Sequence, residues 1–428
     1  MYKVLVIAYY FPPMGLSGVQ RTLKFTKYMK DYNWEPTVLT AANTGYFAHD
    51  NYLLREAESA GIRMIRAGGN DINSILSKKG TIKMPPEIVS KIFHLFSNTF
   101  FIPDNKVGWT KKAIKYAREL LNREKFDLLF VSAPPFSSIN MAVKLKKEFN
   151  LPLVIDYRDL WYGNQFAFYP TPLHMLLHKN MEYKALKVAE RIIATNRRMK
   201  EKILDNYKFL TFDDIYIIPH GYDPEDFKNI KIEEKPKEKM RLTYSGIFYE
   251  FITPKYFLDA FKKLSIGRPD VAANIELNFV GHLRNENRKL IKKLKLQEFV
   301  KEYGYLNHNE ALTKIMSSDV LWMMVGNARN ADTISSGKLY EYFGTKKPVL
   351  ASVPEGALKS SAQEYKAAFL TKPDDVEEIK EAILNIYELY ISGKLPVPDE
   401  EFIEKHRRDF LTELLTKQFQ FLVKEEII

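Results

Sequence analysis

A chain of 428 residues, 46% of them hydrophobic, is about two to three times the length of a typical domain and has enough apolar content for two separate cores. It holds no cysteine, which excludes disulfides, thiolate nucleophiles and cysteine-based zinc sites. No apolar run reaches the roughly 18 residues of a spanning helix, and Val4–Tyr10 is too short and too promptly followed by Pro12-Pro13 for a signal peptide, so a cytoplasmic protein is expected.

The net charge of +11 is confined to the first half: residues 1–220 carry +12 and residues 221–428 carry −1. This asymmetry points to an anionic partner for the first half, whether an acidic membrane surface, a phosphorylated acceptor or nucleic acid.

In chain order, Lys3–Tyr10 reads as a buried strand, Pro12 to Gly18 as a loop with two glycines, and Val19–Tyr32 as an amphipathic helix. Ile88–Phe101 places Ile88, Ile92, Phe93, Phe96 and Phe100 on a helical pattern, with Lys83 and Lys91 beside them and Lys106 after. That fits a core helix or one that docks on an anionic membrane leaflet. Pro36–Thr40, Phe126–Ser132 and Leu153–Asp156 are further strands, with helical patterns at Lys111–Asn122 and Asn140–Phe149. Strands alternating with helices predict a doubly wound parallel sheet, whose ligands sit beyond the carboxyl ends of the strands. Pro13–Gly18, Ala133–Ser138 and Tyr157–Trp161 would gather there. His174, His178 and Glu182 would share one helix face. A zinc site is conceivable, but Met175-Leu-Leu177 and Lys179 in the same segment read better as an interfacial helix.

Ile215–Pro219 is a short strand, and the polar, proline-bearing residues near 220–240 read as the connection between domains. Arg241–Tyr244, Ile275–Val280, Val320–Val325 and Val349–Ala351 are strands, with helices at Pro254–Leu264 and Glu310–Ser317, so the second half repeats the architecture of the first. A closing helix, Phe402–Glu425, has apolar positions at Phe410, Leu414, Leu415 and Phe421. The most informative stretch is Thr333–Pro348. Small residues at Ser335, Ser336 and Gly337 leave backbone N–H groups open at a helix start, and Lys338 adds a point charge, which makes an anion site suited to a phosphate. Glu341, one turn on, could accept hydrogen bonds from sugar hydroxyls, with a solvated helix carboxylate as the plain alternative.

Several segments together resemble the family-4 glycosyltransferases: Tyr9–Arg21, Ile217-Ile-Pro-His-Gly-Tyr-Asp223, Tyr244-Ser-Gly246 with Ala260 fourteen residues beyond it, and Glu341 with Pro348. The resemblance implies an α/β, GT-B fold: two Rossmann-like doubly wound domains facing a central cleft. Residues 1–220 would form the acceptor-binding domain, 221–240 a linker and 241–401 the nucleotide-sugar-binding domain, with helix 402–426 returning to the first. Phe101-Ile-Pro-Asp104 with Trp109, Ser132-Ala-Pro-Pro-Phe-Ser-Ser138 and Asp156-Tyr-Arg-Asp-Leu-Trp161 are similar to members associated with bacterial surface-polysaccharide assembly.

The implied activity is a retaining, metal-independent sugar transfer from a nucleotide-diphosphate donor, UDP ahead of GDP, to a saccharide or lipid-linked acceptor, without a cofactor. The resemblance implies Glu341 for the donor ribose, and Tyr303, Gly304 and Tyr305 near the base. Gly15, Gly18, Ser335, Ser336, Gly337 and Lys338 are candidates for the diphosphate. Asp159 would position or deprotonate the acceptor hydroxyl, with Arg158 orienting it or binding acceptor phosphate; Arg21 and Asp156 are further acceptor or phosphate candidates. Two departures stand out. The first of the family's two glutamates falls at Thr333, and the Arg and Lys that clamp the diphosphate fall at Ile247 and Ile252, so Lys338 and the neighbouring amides are expected to replace the clamp. A nucleotide-sugar epimerase, or a non-catalytic membrane- or nucleic-acid-binding protein, are the alternatives. No nucleic-acid module is visible, so no nucleic-acid partner is expected.

Overall fold

The structure, a computed structural model, describes residues 1–42, 44–69, 81, 87–237 and 239–425. Lys83 and the side chains of Ile88, Lys91 and Phe93 lie outside what is described. The chain divides into two units, Met1–His220 with Arg408–Ile428, and Gly221–Arg407.

The first unit runs β1 (Tyr2–Ile7), α1 (Ser17–Tyr28), β2 (Trp34–Ala41), α2 (Asn51–Ser59), β3 (Arg63–Ala67), α3 (Glu87–Phe100), α4 (Val107–Arg123), β4 (Leu128–Ala133), α5 (Ser137–Phe149), β5 (Leu153–Tyr157), α6 (Pro172–Leu186), β6 (Arg191–Ala194), α7 (Arg197–Asn206) and β7 (Ile215–Ile217). Its seven strands are parallel in the order β3-β2-β1-β4-β5-β6-β7. Val4–Ile7 and Leu128–Val131 are wholly buried, as strands covered by helices on both faces must be. The strand order reverses between β1 and β4, which is where a doubly wound sheet opens a crevice.

The second unit runs β8 (Met240–Ser245), α8 (Lys255–Gly267), α9 (Pro269–Ala272), β9 (Ile275–Val280), α10 (Asn285–Lys293), β10 (Val300–Gly304), α11 (His308–Met316), β11 (Val320–Met324), α12 (Gly337–Gly344), β12 (Val349–Ser352), α13 (Ala357–Glu364), β13 (Ala368–Thr371), α14 (Val376–Ile391) and α15 (Glu400–Glu404). Its six parallel strands take the order β10-β9-β8-β11-β12-β13. Both units are therefore Rossmann-like, the architecture of the GT-B fold. Among the described residues no helix is long and apolar enough to cross a membrane.

Two expectations need correction. The segment before β8 is not a free connection: it carries a 3₁₀ turn at Pro224–Phe227 and packs on the second unit, with Lys235 Nζ 2.6 Å from Tyr390 Oη and 3.1 Å from Asp319 Oδ2. The closing helix, α16 (Arg408–Glu425), starts later than read, because Phe402 and Ile403 belong to α15 in the second unit. Its buried stripe is also different. Leu411, Leu415, Phe419 and Leu422 face the first sheet, with Phe419 packing edge-on to Trp34, whereas Phe410 and Phe421 are 39% and 58% exposed. The stripe follows the 3.6-residue period from Leu411, and Phe410 and Phe421 fall off it.

Arg21 and Asp156 lock the first unit together. Arg21 Nη2 lies 2.7 Å from Asp156 Oδ1, both side chains are fully buried, and Arg21 also donates to the carbonyls of Ile218 (3.0 Å) and Pro219 (2.7 Å). Ser132 Oγ donates to the same carboxylate at 2.9 Å. A buried pair broken on one side leaves an uncompensated charge, so Arg21→Met or Asp156→Leu alone is expected to destabilise the protein by about 3–5 kcal/mol. The double variant should lose less than the sum of the two, which urea denaturation in a double-mutant cycle will measure.

Candidate functional site

In the second unit the candidate donor residues converge at the carboxyl ends of the strands. α12 is seated by Leu339, Tyr342 and Phe343, buried at positions i, i+3 and i+4, and Tyr342 Oη accepts a hydrogen bond from Ser245 N at 2.8 Å. Its N-cap, Ser336, is extended and makes no side-chain cap; Leu339 N donates to Ser336 O at 3.0 Å, and the N–H groups of Gly337 and Lys338 at the helix start are the ones a ligand could take. Ser335 Oγ is buried without a hydrogen-bond partner. Lys338 reaches across from α12: its Nζ donates to Tyr244 Oη at 2.8 Å and stands 4.0 Å above that ring. Gly246 makes the space, since a Cβ there would fall on Lys338 Nζ, and its φ of +139 is one that a side chain disfavours. Gly281 repeats this at the end of β9, where a Cβ would fall on Gly246 O. Burial pushes the Lys338 ammonium down to about 7, and Glu341 opposes the shift.

Glu341 lies 3.9 Å from His308 Nδ1, and His308 Nε2 is 2.9 Å from Asp226 Oδ2, so a His–Asp pair stands behind the proposed ribose acceptor. Sequence reasoning passed over His308, although it lies only three residues beyond Tyr305, at the start of the helix that Asn307 caps. Gly304 ends β10 with a φ of +69, Lys314 Nζ sits 4.3 Å over Tyr303, and Tyr305 stacks on His282 at 5.5 Å. Thr333 offers no carboxylate; its Oγ1 donates to Asn330 O at 2.8 Å. Ile252 is buried in the core and offers no charge, whereas Lys338 stands at the start of α12.

In the first unit the loops after β1, β4 and β5 meet as expected, but their charges are already committed. Arg158 donates to Gly18 O, Pro134 O and, at 3.4 Å, Ala133 O, so it ties three loops together and is not free to bind an acceptor phosphate. Arg21 and Asp156 are spent on each other and are removed from the acceptor candidates for the same reason. Gly15 and Gly18 have no positive φ; that conformation falls on Leu16 (φ 71), and a Cβ at Gly18 would meet Arg158 Nη1 at an ordinary 3.5 Å. Asp159 remains. It is half-buried, and burial raises its carboxyl above the usual range against the pull of Arg158 and Gln165.

His174, His178 and Glu182 do not form a metal site; each holds a different partner. His174 Nδ1 is 2.8 Å from Thr171 Oγ1 and its Nε2 is 3.1 Å from Thr99 O. Trp161 Nε1 donates to His178 Nδ1 at 3.1 Å, and Glu182 Oε2 accepts from Tyr162 N (2.8 Å) and Tyr207 Oη (2.7 Å). α6 therefore holds the loop that follows Asp159. Burial lowers His178 to about 4 and raises Glu182 to about 7.

Comparison with known proteins places this geometry. The profile described as Glycosyltransferase Family 4 matches residues 74–226, and that described as Glycosyl transferases group 1 matches residues 225–396. No curated protein sequence matches. Among solved structures, sucrose-phosphate synthase from Thermosynechococcus elongatus is similar at a TM-score of 0.67 and 13% identity, over 99% of this chain and 100% of that one. Anabaena Alr3699/HepE in complex with UDP and glucose is similar at 0.61 and 14%, over 100% and 98%. A putative UDP-N-acetylglucosamine 2-epimerase from Listeria monocytogenes is similar at 0.58 and 13%, over 99% and 97%. At such identities the likeness is one of fold.

The pKa of Glu182 supplies a test of the clamp on the Asp159 loop. A carboxyl raised in the folded state gives stability that is present below its unfolded value of 4.5 and lost as pH rises through about 7. Glu182→Gln keeps an oxygen for Tyr162 N and Tyr207 Oη but cannot ionise. It is expected to match the wild type near pH 4.5 and to exceed it by on the order of 2 kcal/mol at about pH 8. Denaturation at both pH values measures this, and a pH-independent difference would contradict it.

Proposed function

We propose, for a chain that belongs to the family-4 glycosyltransferases of GT-B fold, that it is a retaining, metal-independent enzyme of cell-surface polysaccharide assembly. It takes a sugar from a UDP-linked donor and adds it to a saccharide borne on a lipid at the cytoplasmic face of an anionic membrane. The observation that carries the donor half is Lys338, lodged between Gly246 and Tyr244 at the start of α12 with Glu341 one turn on.

The diphosphate is held by the Lys338 ammonium, the open N–H groups of α12 and Ser335 Oγ, and these groups replace the missing Arg and Lys. Glu341 accepts from the ribose hydroxyls, and the base lies by Tyr303, Gly304 and Tyr305. The choice of UDP is supported by the complex of Alr3699/HepE with UDP and glucose. On the acceptor side Asp159, with its raised carboxyl, positions or deprotonates the attacking hydroxyl. The departing diphosphate helps to take the proton, and no protein nucleophile is assigned.

The likeness to an epimerase keeps a second reading in play, which predicts a donor altered in the absence of any acceptor.

UDP is expected to raise the melting temperature of the wild type, with Lys338→Ala, Glu341→Ala and Gly246→Ala each weakening UDP on the order of tenfold. Because the free Lys338 titrates near 7, UDP affinity should fall between about pH 7 and pH 9, with proton uptake seen by calorimetry in buffers of different ionisation enthalpy. Undiminished UDP affinity in Lys338→Ala would overturn this donor site. Asp159→Asn is expected to bind UDP normally while losing transfer by on the order of a hundredfold. Full transfer would remove Asp159 from the chemistry.

A further inference from the structure

We infer that the outer face of α6 and the groove along its second half form a docking site for the anionic headgroups of a bilayer, with the apolar end of α6 entering the membrane beside α3. This deepens, and rests on, the reading of a membrane-borne acceptor.

Positions 173, 176, 177, 180, 183, 184 and 187 recur every three to four residues and so share one face of α6. That face changes character along the axis. Its first half exposes Leu173 and Leu176, each 61% accessible, together with Leu177, and Met175 is exposed beside them. Its second half presents Lys184 and Lys187, with Lys179 alongside, and the one acid of the helix, Glu182, is buried. At the join lies a groove of about 470 Å³ lined by Leu176, Lys179, Asn180, Tyr183, Lys208 and Phe209, among others. Tyr183 and Phe209 pack edge to face at 5.0 Å as its aromatic wall, and Lys208 is steadied by Asp205 at 3.1 Å.

The apolar end does not stand alone. The His174 Nε2 contact with Thr99 O brings it against the last turn of α3, and along that helix Ile92, Phe96 and Phe100 are 62%, 59% and 66% exposed. Two helices thus offer large apolar side chains together, and on α6 lysines follow within about 10 Å of axis. A bilayer interface has the same sequence of environments: acyl chains, then phosphates, with lysine stems spanning the boundary. The lysines and side-chain amides of the groove suit a phosphate and its neighbouring hydroxyls, and the +12 charge of residues 1–220 draws this unit to an acidic surface. A second copy of the chain is disfavoured as occupant, since a two-fold contact would bring the same lysines against one another.

The test uses the full chain, co-sedimented at low salt with vesicles of phosphatidylcholine and with equimolar phosphatidylcholine and phosphatidylglycerol. The wild type is expected to favour the anionic vesicles by on the order of tenfold or more. Lys179→Glu with Lys208→Glu, and separately Leu173→Ser with Leu176→Ser, should each weaken that binding about tenfold, while Lys289→Glu with Lys292→Glu in the second unit leaves it unchanged. Stabilisation by UDP, measured on the same samples, reports the donor site and the fold independently. Equal binding to both vesicles, wild-type binding by either α6 variant, or a wild-type dimer that these variants dissociate would overturn the docking site and leave the donor reading standing. Docking with no response to UDP would overturn the donor reading and leave the docking site standing.

Discussion

Backbone carbonyls at the carboxyl ends of parallel strands have to find donors once the chain turns away from the sheet, and in the first unit two buried guanidiniums supply them. Arg21 takes the carbonyls of Ile218 and Pro219, and Arg158 takes those of Gly18, Ala133 and Pro134. A planar fork with five donors suits this better than a flexible ammonium would, because its geometry is fixed before the bonds form. Asp156 compensates Arg21, so the pair is electrically closed and its role is architectural. The loops after β1, β4 and β5, together with the chain leaving β7, are therefore fixed relative to one another, and Asp159 is the carboxylate they leave available.

The second unit handles a buried cation in the opposite way. Lys338 Nζ bonds a tyrosine hydroxyl, and Glu341 assists only through its field, so burial prevails and the ammonium is weakened. An ion pair such as Arg21–Asp156 has no charge left for a ligand, whereas a cation held against an aromatic ring and the backbone of Gly246 recovers its full charge when an anion arrives. On the proposed reading, with Ile247 and Ile252 standing where the family has Arg and Lys, the phosphate-binding role would pass to a residue whose protonation depends on the ligand. Such a site would keep an anion-binding character and gain a pH dependence that a permanently charged arginine would not confer.

The central strands were legible in the sequence because strands covered on both faces are continuous apolar runs; β4, β5, β8, β9, β11 and β12 were all read within two residues of their observed ends, and β1 within three. Of the strands passed over, β3, β10 and β13 are edge strands, with β3 carrying Arg63 and Arg66 and only partly buried, and β6 is four residues long. The donor loop was legible from its small residues and Lys338, since glycine and serine before a helix have few uses. What sequence could not show was commitment. Arg21, Asp156 and Arg158 have the residue types of an acceptor site, and only the fold reveals that every one is engaged by neighbours far away in the chain. His178 and Glu182 show the converse limit. Their spacing suits a metal, yet each pairs with a loop residue whose proximity no helical period can encode.

That last pair gives α6 two distinct tasks. Its inner face, through His178 and Glu182, grips Trp161 and Tyr162, two and three residues beyond Asp159; its outer face carries the graded apolar and lysine surface. A helix of about four turns is stiff on the scale of these contacts, so a force applied at Leu173 and Leu176 is borne at Trp161 without passing through a flexible segment. If seating α6 on a bilayer alters the set of the Asp159 loop, linkage requires the converse: an acceptor that favours the altered loop must tighten the hold on the membrane by the same factor. A lipid-borne acceptor would then be met by a surface on one side of α6 and by a carboxylate on the loop that the other side of α6 grips, and the enzyme would distinguish it from a free saccharide through that connection as well as through contacts with the sugar.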